Sequence, residues 1–478
     1  MTGRRRFASE IVCLMAACLW VPAVLAQQEQ EEKPKPAARV SPLLFDTSGD
    51  RQDTDQGTQT MQPDNRPLSG IQSPTLGTTE MRHSYWVPGI EYSNVIRSTS
   101  LNSAANSAWN TTSYVSGNVS LLDAWNHSVL SANYSGGGFS SSDPVQGNGQ
   151  YHQLATAFEV DQRRWQLLLV NQFSYLPESA FGFGGTSGLA FPGIMGTLAV
   201  PLPALQSTFV PGQTILTANG PRYSNTTAVQ LTYAVSPRGS ITLAGVYGAL
   251  HFIDPGNVNS HSEILNAGYN YAITRNDTVG LAYVFSAYRY PGNPQAIGDH
   301  VGQFVYGRKI TGRLALKLAG GPEVSTFRIP IGGSTQKISG AGNAALTYAF
   351  ARSGVELSYT HGVSPGSGVF TGSTLDQANA TWSRPLTRTW NGRVNLGYAK
   401  NRRILSVSGL TSPSYDAWLA GAKLSRALGR AADFSVAYQA QIENSNVAIC
   451  STPNCGTSYL AHQVFLTFGW HTRPLLLK

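Results

Sequence analysis

The chain is short of charge. Only 13% of its 478 residues are Asp, Glu, Lys or Arg, about half of the roughly 25% usual in soluble domains. Mean hydropathy is nonetheless only −0.15, so uncharged polar residues make up the difference. That excludes a charged disordered protein and a coiled coil. Long apolar runs are missing as well. Past residue 26 the best is Leu167-Leu168-Leu169-Val170, far below the roughly 18 residues a membrane helix needs. Cysteine is scarce: of four, Cys13 and Cys18 fall in the first 26 residues, leaving Cys450 and Cys455. No phosphate loop or dinucleotide fingerprint occurs, and none of the nine His has metal-ligand spacing. The net charge of +8 lacks the clustering of nucleic-acid binders. What is present is 49 Gly, 21 Tyr and 9 Trp, the composition of an all-β protein with aromatic-edged strands.

The first 26 residues predict a signal peptide. Arg4, Arg5 and Arg6 form a basic start, 11–25 is apolar, and Val24-Leu25-Ala26 suits cleavage after Ala26. Arg4-Arg5-Arg6-Phe7 matches a twin-arginine signal only in part, and the apolar run continues past the lipobox-like Met15-Ala16-Ala17-Cys18. Cleavage would leave 31 basic and 25 acidic residues, a net of +6. Residues 27–84 then read as a disordered, Pro/Gln-rich periplasmic leader. They hold six Pro, nine acidic and six basic residues, without periodicity, too little apolar surface to fold alone. The sharper reading is an arm that meets a partner, with Ser41-Pro42-Leu43-Leu44-Phe45 as its one apolar spot.

From residue 85 the sequence alternates with period two. In 266–273, Ala267, Tyr269, Tyr271 and Ile273 share one face against Asn266, Gly268 and Asn270. In 278–287, Val279, Leu281, Tyr283 and Phe285 oppose Gly280, Ala282 and Ser286. Stretches 391–398 and 434–441 repeat the pattern. These are half-buried antiparallel strands. A sandwich would need charged outer faces, and these polar faces are nearly uncharged. Arg-bearing short turns recur at Arg238, Arg275, Arg313, Arg352, Arg388 and Arg430, at intervals of 37, 38, 39, 36 and 42. Between them lie longer Gly/Pro/Ser stretches such as 291–300 and 364–375. Short turns at one end and long loops at the other mark a transmembrane β-barrel. Strand cores fall at 85–97, 112–122, 127–139, 151–161, 165–176, 225–235, 240–252, 262–273, 278–290, 301–309, 313–325, 338–350, 354–363, 376–384, 389–400, 415–425, 431–442 and 458–470. That is eighteen, with sixteen as the alternative because Pro88 interrupts the first. The prediction is an all-β antiparallel outer-membrane barrel over 85–478, wide enough for an aqueous lumen. Tyr134, Trp165, Tyr269, Tyr271, Tyr283, Tyr348, Trp382, Trp390, Tyr398, Trp418, Tyr438 and Trp470 fit its interfacial girdles. Outer-membrane lipid is then one partner. Barrel-assembly machinery is another, reading Val464, Leu466, Phe468 and Trp470 on the last strand, although 471–478 follow it.

Several functional features stand out. The stretch 177–225 is long, Gly-rich and apolar, as in Phe181-Gly182-Phe183 and Val200-Pro201-Leu202-Pro203. A loop of this size is usually functional; it either folds into the lumen and narrows it or caps neighbouring loops outside. By alternation Glu159, Lys317, Glu356, Arg393 and Lys423 face the lumen, because the lipid face would charge a cation roughly 2–4 kcal/mol. They either set a weak anion preference or bind acidic sugars, or they pair across the lumen as structural ion pairs. Cys450 and Cys455 predict a local disulfide worth on the order of 2 kcal/mol. Histidines 152, 251, 261, 300 and 361 fall at long-loop ends. Gly362-Val363-Ser364-Pro365-Gly366 matches G-x-S-x-G in text but lacks the strand-turn-helix context of a nucleophile elbow. A hydrolase would need an outward Ser-His pair, which the alternation does not supply, so no enzyme and no cofactor is expected.

Some phrases resemble a known group: Pro211-Gly212-Gln213-Thr214-Ile215-Leu216-Thr217, Arg222-Tyr223-Ser224-Asn225, Gly312-Arg313-Leu314, Gly321-Pro322-Glu323, Gly366-Ser367-Gly368-Val369-Phe370 and Asn395-Leu396-Gly397-Tyr398-Ala399. They are similar to bacterial outer-membrane barrels of the β-barrel porin type, including those found with extracellular-polysaccharide genes. The resemblance spans about 110–470 and supplies no catalytic residues. It implies an outer-membrane location and passage of small or saccharide solutes. A structural or surface barrel without transport, or an accessory to polysaccharide export, is the alternative.

Overall fold

The computed structural model describes residues 67–72, 84–101, 109–143, 147–176, 205, 209, 221–253, 257–310, 313–329, 333–350, 352–366, 368–404, 413–446 and 458–477. The described residues form one antiparallel sheet. Its strands are β1 (Tyr85–Leu101), β2 (Trp109–Ala124), β3 (Ser128–Ser141), β4 (Asn148–Asp161), β5 (Trp165–Leu176), β6 (Arg222–Ala234), β7 (Gly239–Phe252), β8 (Ser260–Ala272) and β9 (Asp277–Tyr290). Then follow β10 (Asn293–Ile310), β11 (Leu314–Ile329), β12 (Gly333–Ala349), β13 (Gly354–Ser364), β14 (Ser373–Pro385), β15 (Trp390–Arg403), β16 (Ser414–Ala427), β17 (Ala432–Ser445), β18 (Tyr459–His471) and the short β19 (Leu475–Leu476). Each long strand pairs with the next, and β18 returns to β1 from Gly89↔His471 to Leu101↔Tyr459. The sheet is therefore a closed barrel of eighteen long strands. Closure leaves no edge and pairs every strand on both sides, as a spanning sheet requires.

Pro88 sits inside β1 and does not end it. It falls at the break between the β1–β18 and β1–β19 ladders, and its carbonyl accepts from Thr472 N at 3.0 Å. The alternative of sixteen strands therefore does not hold. Residues 471–478 do not simply trail away: Leu475 and Leu476 pair with Trp86 and Tyr85. The expected long loop at 291–300 is also corrected. Pro291 and Gly292 alone turn the chain, with Gly292 at φ +82°, and β10 starts at Asn293. Pro followed by a residue with positive φ is a tight-turn pair, and the loop signal there was only turn chemistry. β10 instead carries a register shift between Asn293 and Ala296.

The strand faces separate cleanly. On β8, Leu265, Tyr269 and Tyr271 are exposed, whereas Ile264, Asn266 and Asn270 are buried. The outward face carries many exposed apolar side chains, with Leu281 66% exposed and Phe304 55%. A contiguous apolar exterior on this scale is unsuited to water. Among the described residues, short connections such as 125–127, 235–238 and 273–276 mark one end. Both ends of the barrel strands, Tyr85 and His471, lie at that end.

Candidate functional site

The lumen is not evenly lined. From β5 to β10 the inward face carries an apolar patch among polar residues such as Gln230, Asn266 and Asn270: Leu168, Val170, Ala228, Ala244, Val246, Ile264, Val284 and Val301 form one cluster. Three further members come from outside the wall: Ile71, Leu205 and Phe209. An eighteen-strand barrel is too wide for wall side chains to meet across it, so an apolar wall needs a cover. Residues 67–72 supply part of it. Leu68 packs against Ala282, Val305 and Ala319, and Ile71 is 0% exposed. Gln72 forms an isolated antiparallel bridge with Leu205. For these six residues the solvated-leader reading is corrected, because a chain lying on an apolar wall gains the burial it could not find alone. The rest of 27–83 lies outside the described residues.

Within 177–225, Leu205 and Phe209 are described together with 221–225; both are buried in the same inner-wall cluster. The other residues of 177–220 lie outside the described residues. So do Cys450 and Cys455.

A second segment crosses the long-loop end. Residues 365–372 connect β13 to β14, with Gly366, Gly368 and Gly372 at φ +95°, +83° and +88°. Phe370 meets Tyr415 at the start of β16, their ring centroids 5.5 Å apart. Val258 N donates to Gly368 O at 2.7 Å, and a Cβ on Gly368 would lie 2.5 Å from the ring of Phe252 at the end of β7. β7 and β16 stand half-way round the barrel from each other, so the segment spans the mouth. In the sequence Gly366 and Gly368 stand out in a resemblance phrase, Gly366 also in the G-x-S-x-G match, and 364–375 reads as a longer loop. Their signal was the spacing: alternate glycines around one Phe allow a compact turn that a Cβ would block.

Beneath this segment lie two buried carboxylates the alternation could have found. Asp299 on β10 accepts from Ser325 Oγ at 2.7 Å. Glu323 on β11 accepts from Ser339 Oγ at 2.8 Å and from Val363 N at 3.0 Å. Asp299 was missed because 291–300 read as loop.

The other half of the wall carries apolar clusters too, such as Ala399, Leu419 and Ala461, but adds a group of charges. Arg393 on β15 stands directly opposite Lys423 on β16. Like charges in register repel, and carboxylates compensate them: Glu356 interacts with Arg393, and Glu91 and Asp433 with Lys423. Buried Asn395, Gln439, Gln441 and Gln463 extend this face. Of the five charges singled out from sequence, the structure brings Glu356, Arg393 and Lys423 together. The other two stand apart. Glu159 on β4 accepts a hydrogen bond from Gln166 Nε2. Lys317 on β11 is buried between Gly307 and Ala345.

The long-loop-end histidines form an outward belt with tyrosines. Tyr134, Tyr283 and Tyr438 hydroxyls share hydrogen bonds with the Nδ1 atoms of His152, His300 and His462 at 2.9, 2.7 and 2.7 Å. Tyr175 and Tyr223 stack at 4.8 Å between His152 and His251. Further round, Asp376 accepts from Tyr359 at 3.1 Å, His361 at 2.6 Å and Arg402 at 3.2 Å. Apolar rings with polar tips suit a boundary between hydrocarbon and headgroups.

No family model matches the chain, and no curated protein matches it. Solved structures do. OpdQ of Pseudomonas aeruginosa is 11% identical, covering 82% of this chain and 98% of its own, with a TM-score of 0.40. OccAB4 of Acinetobacter baumannii is 9% identical, with 82% and 99% covered and a TM-score of 0.41. The outer membrane protein OpdK of Pseudomonas aeruginosa is 9% identical, with 81% and 99% covered and a TM-score of 0.41. Likeness of this degree carries no weight for the chain's fold or role, which rest on its own closed sheet.

Proposed function

We propose that the chain is an outer-membrane channel for small polar solutes, saccharides among them, with the loop 177–225 narrowing its lumen. The observation that carries this is the asymmetric lining of a closed barrel with an apolar exterior. One side of the lumen is covered by chain segments; the other presents Glu356, Arg393, Lys423, Glu91 and Asp433 with a field of side-chain amides. Charges of both signs in close pairs leave little net field but many donors and acceptors. That suits a neutral polyhydroxylated solute more than an ion of one sign. The anion preference suggested by the five sequence-identified charges weakens once Glu91 and Asp433 join them. Burial of Leu205 and Phe209 on the inner wall supports the inward placing of the loop. In this reading outer-membrane lipid covers the exterior, and barrel-assembly machinery inserts the chain by way of β18.

The test is a planar-bilayer recording of purified protein with liposome swelling in mono- and oligosaccharides. Discrete conductance steps, a reversal potential near zero in a salt gradient and sugar-dependent swelling are expected. Absence of both conductance and swelling in a heat-modifiable, folded barrel would leave the structural-barrel reading, which the apolar filling of one side favours.

A further inference from the structure

The wall that receives residues 67–72 holds a chain that turns at 67–70, where Gly70 N donates to Pro67 O at 3.1 Å. Two inward glycines lie under the segment. A Cβ on Gly268 would collide with Ser69, and one on Gly307 with Leu68. Glycine weakens a strand, and in a strand interior it marks a close approach of another backbone. The polar contacts come from amides. Asn270 Oδ1 accepts from Ser69 N at 2.9 Å, and its Nδ2 donates to Ser69 Oγ at 2.8 Å. Asn266 Nδ2 donates to Ser69 O at 2.6 Å, and Gln230 Oε1 accepts from Ile71 N at 2.8 Å. Three side chains on β6 and β8 thus satisfy two backbone donors and one backbone acceptor of the turn. Gly70 fits closely too: a Cβ there would lie 2.5 Å from Gln230 Oε1. Leu68 and Ile71 enter separate apolar pockets of the same wall.

We propose that β6 to β10 carry a peptide-binding track on the lumen wall, with residues 67–72 as its resident ligand and as a releasable obstruction of the pore. The track stands on these contacts alone; the obstruction rests on the channel reading above. The ligand is held by two apolar anchors and a few neutral hydrogen bonds, all on one short stretch. Eleven residues, 73–83, tether it to Ser84. A tethered ligand binds at high effective concentration with modest intrinsic affinity, which makes occupancy high and release achievable.

Two arms test this. In the full chain, Gly268→Val and Gly307→Val each fill a socket with a strand-favouring residue and leave the leader untouched. Each is expected to raise single-channel conductance at least twofold, with heat-modifiable migration unchanged. In a chain lacking 67–72, a fluorescent synthetic peptide of residues 65–74 is expected to bind saturably in detergent. A scrambled peptide should fail to bind, and Gln230→Ala with Asn270→Ala should weaken binding at least tenfold. Failure of the peptide to bind a correctly folded deletion barrel would overturn the track. Binding without any conductance change in the glycine variants would overturn the obstruction. Should no form conduct, the channel reading fails and the peptide arm still decides the track.

Discussion

The two sides of the lumen share one strand period and differ in what that period delivers inward. From β5 to β10 it delivers Leu168, Ala228, Val246, Ile264 and Val301. From β15 through β18 it delivers Asn395, Lys423, Gln439, Gln441 and Gln463. Water tolerates the second set without help. The first gains burial from a cover, and Ile71, Leu205 and Phe209 provide it. An apolar stretch on the inner face of a wide barrel therefore signals that chain is docked there. On the exterior the same residues would signal lipid.

The largest test of this contrast removes the cover. Deleting residues 180–220 should raise single-channel conductance several-fold while the barrel stays folded and heat-modifiable. Unchanged conductance in an inserted deletion protein would show that the covered side does not limit the pore. The next test works on the uncovered side. Replacing both Arg393 and Lys423 with Gln removes two cations from beside Glu356, Glu91 and Asp433. Cation permeability relative to anion should rise several-fold, read from the reversal potential in a salt gradient. The same replacement should leave the peptide affinity of the opposite track unaltered. A shift in both would mean the two sides are not independent.

Strand number and face assignment were legible in the sequence because the alternation is a local property repeated strand after strand. Asn266 and Asn270 against Tyr269 and Tyr271 is readable from eight residues. Residues 67–72 were illegible for the opposite reason. Their polarity and Pro content match a solvated tail, and their ordering comes from Gly268 and Gly307, some two hundred residues away. Composition reports what a segment can bury alone and is blind to a preformed surface. Pairing among the lumen charges could be read as an alternative, but that Glu356 is the partner of Arg393 depends on the register of β13 to β15. The charge at 393 could be read; its neighbour could not.

Smaller effects concern the mouth and the exterior. Phe370→Ala removes the ring that anchors the mouth-crossing segment on Tyr415, a contact worth about 0.5–1.5 kcal/mol beyond its buried area. Open-channel noise should rise with little change in mean conductance, since the segment loses its far anchor but keeps the Val258 to Gly368 hydrogen bond. Replacing Cys450 and Cys455 with Ser should leave folding intact, because the ring they would close is local. Mass mapping of the secreted protein should find the two joined.

The smallest expected effect is the control for the whole contrast. Tyr283 lies on the outward face of β9, with its hydroxyl 2.7 Å from His300 Nδ1. Tyr283→Phe keeps the ring in the belt and deletes one hydrogen bond, at about 1 kcal/mol. The barrel's unfolding midpoint in denaturant should fall slightly. Conductance, selectivity and peptide affinity should not move, because the pair lies on the outward face of the described barrel. A change in conductance would place the belt in contact with the pore and break the separation between an exterior that meets lipid and an interior that meets chain or solute.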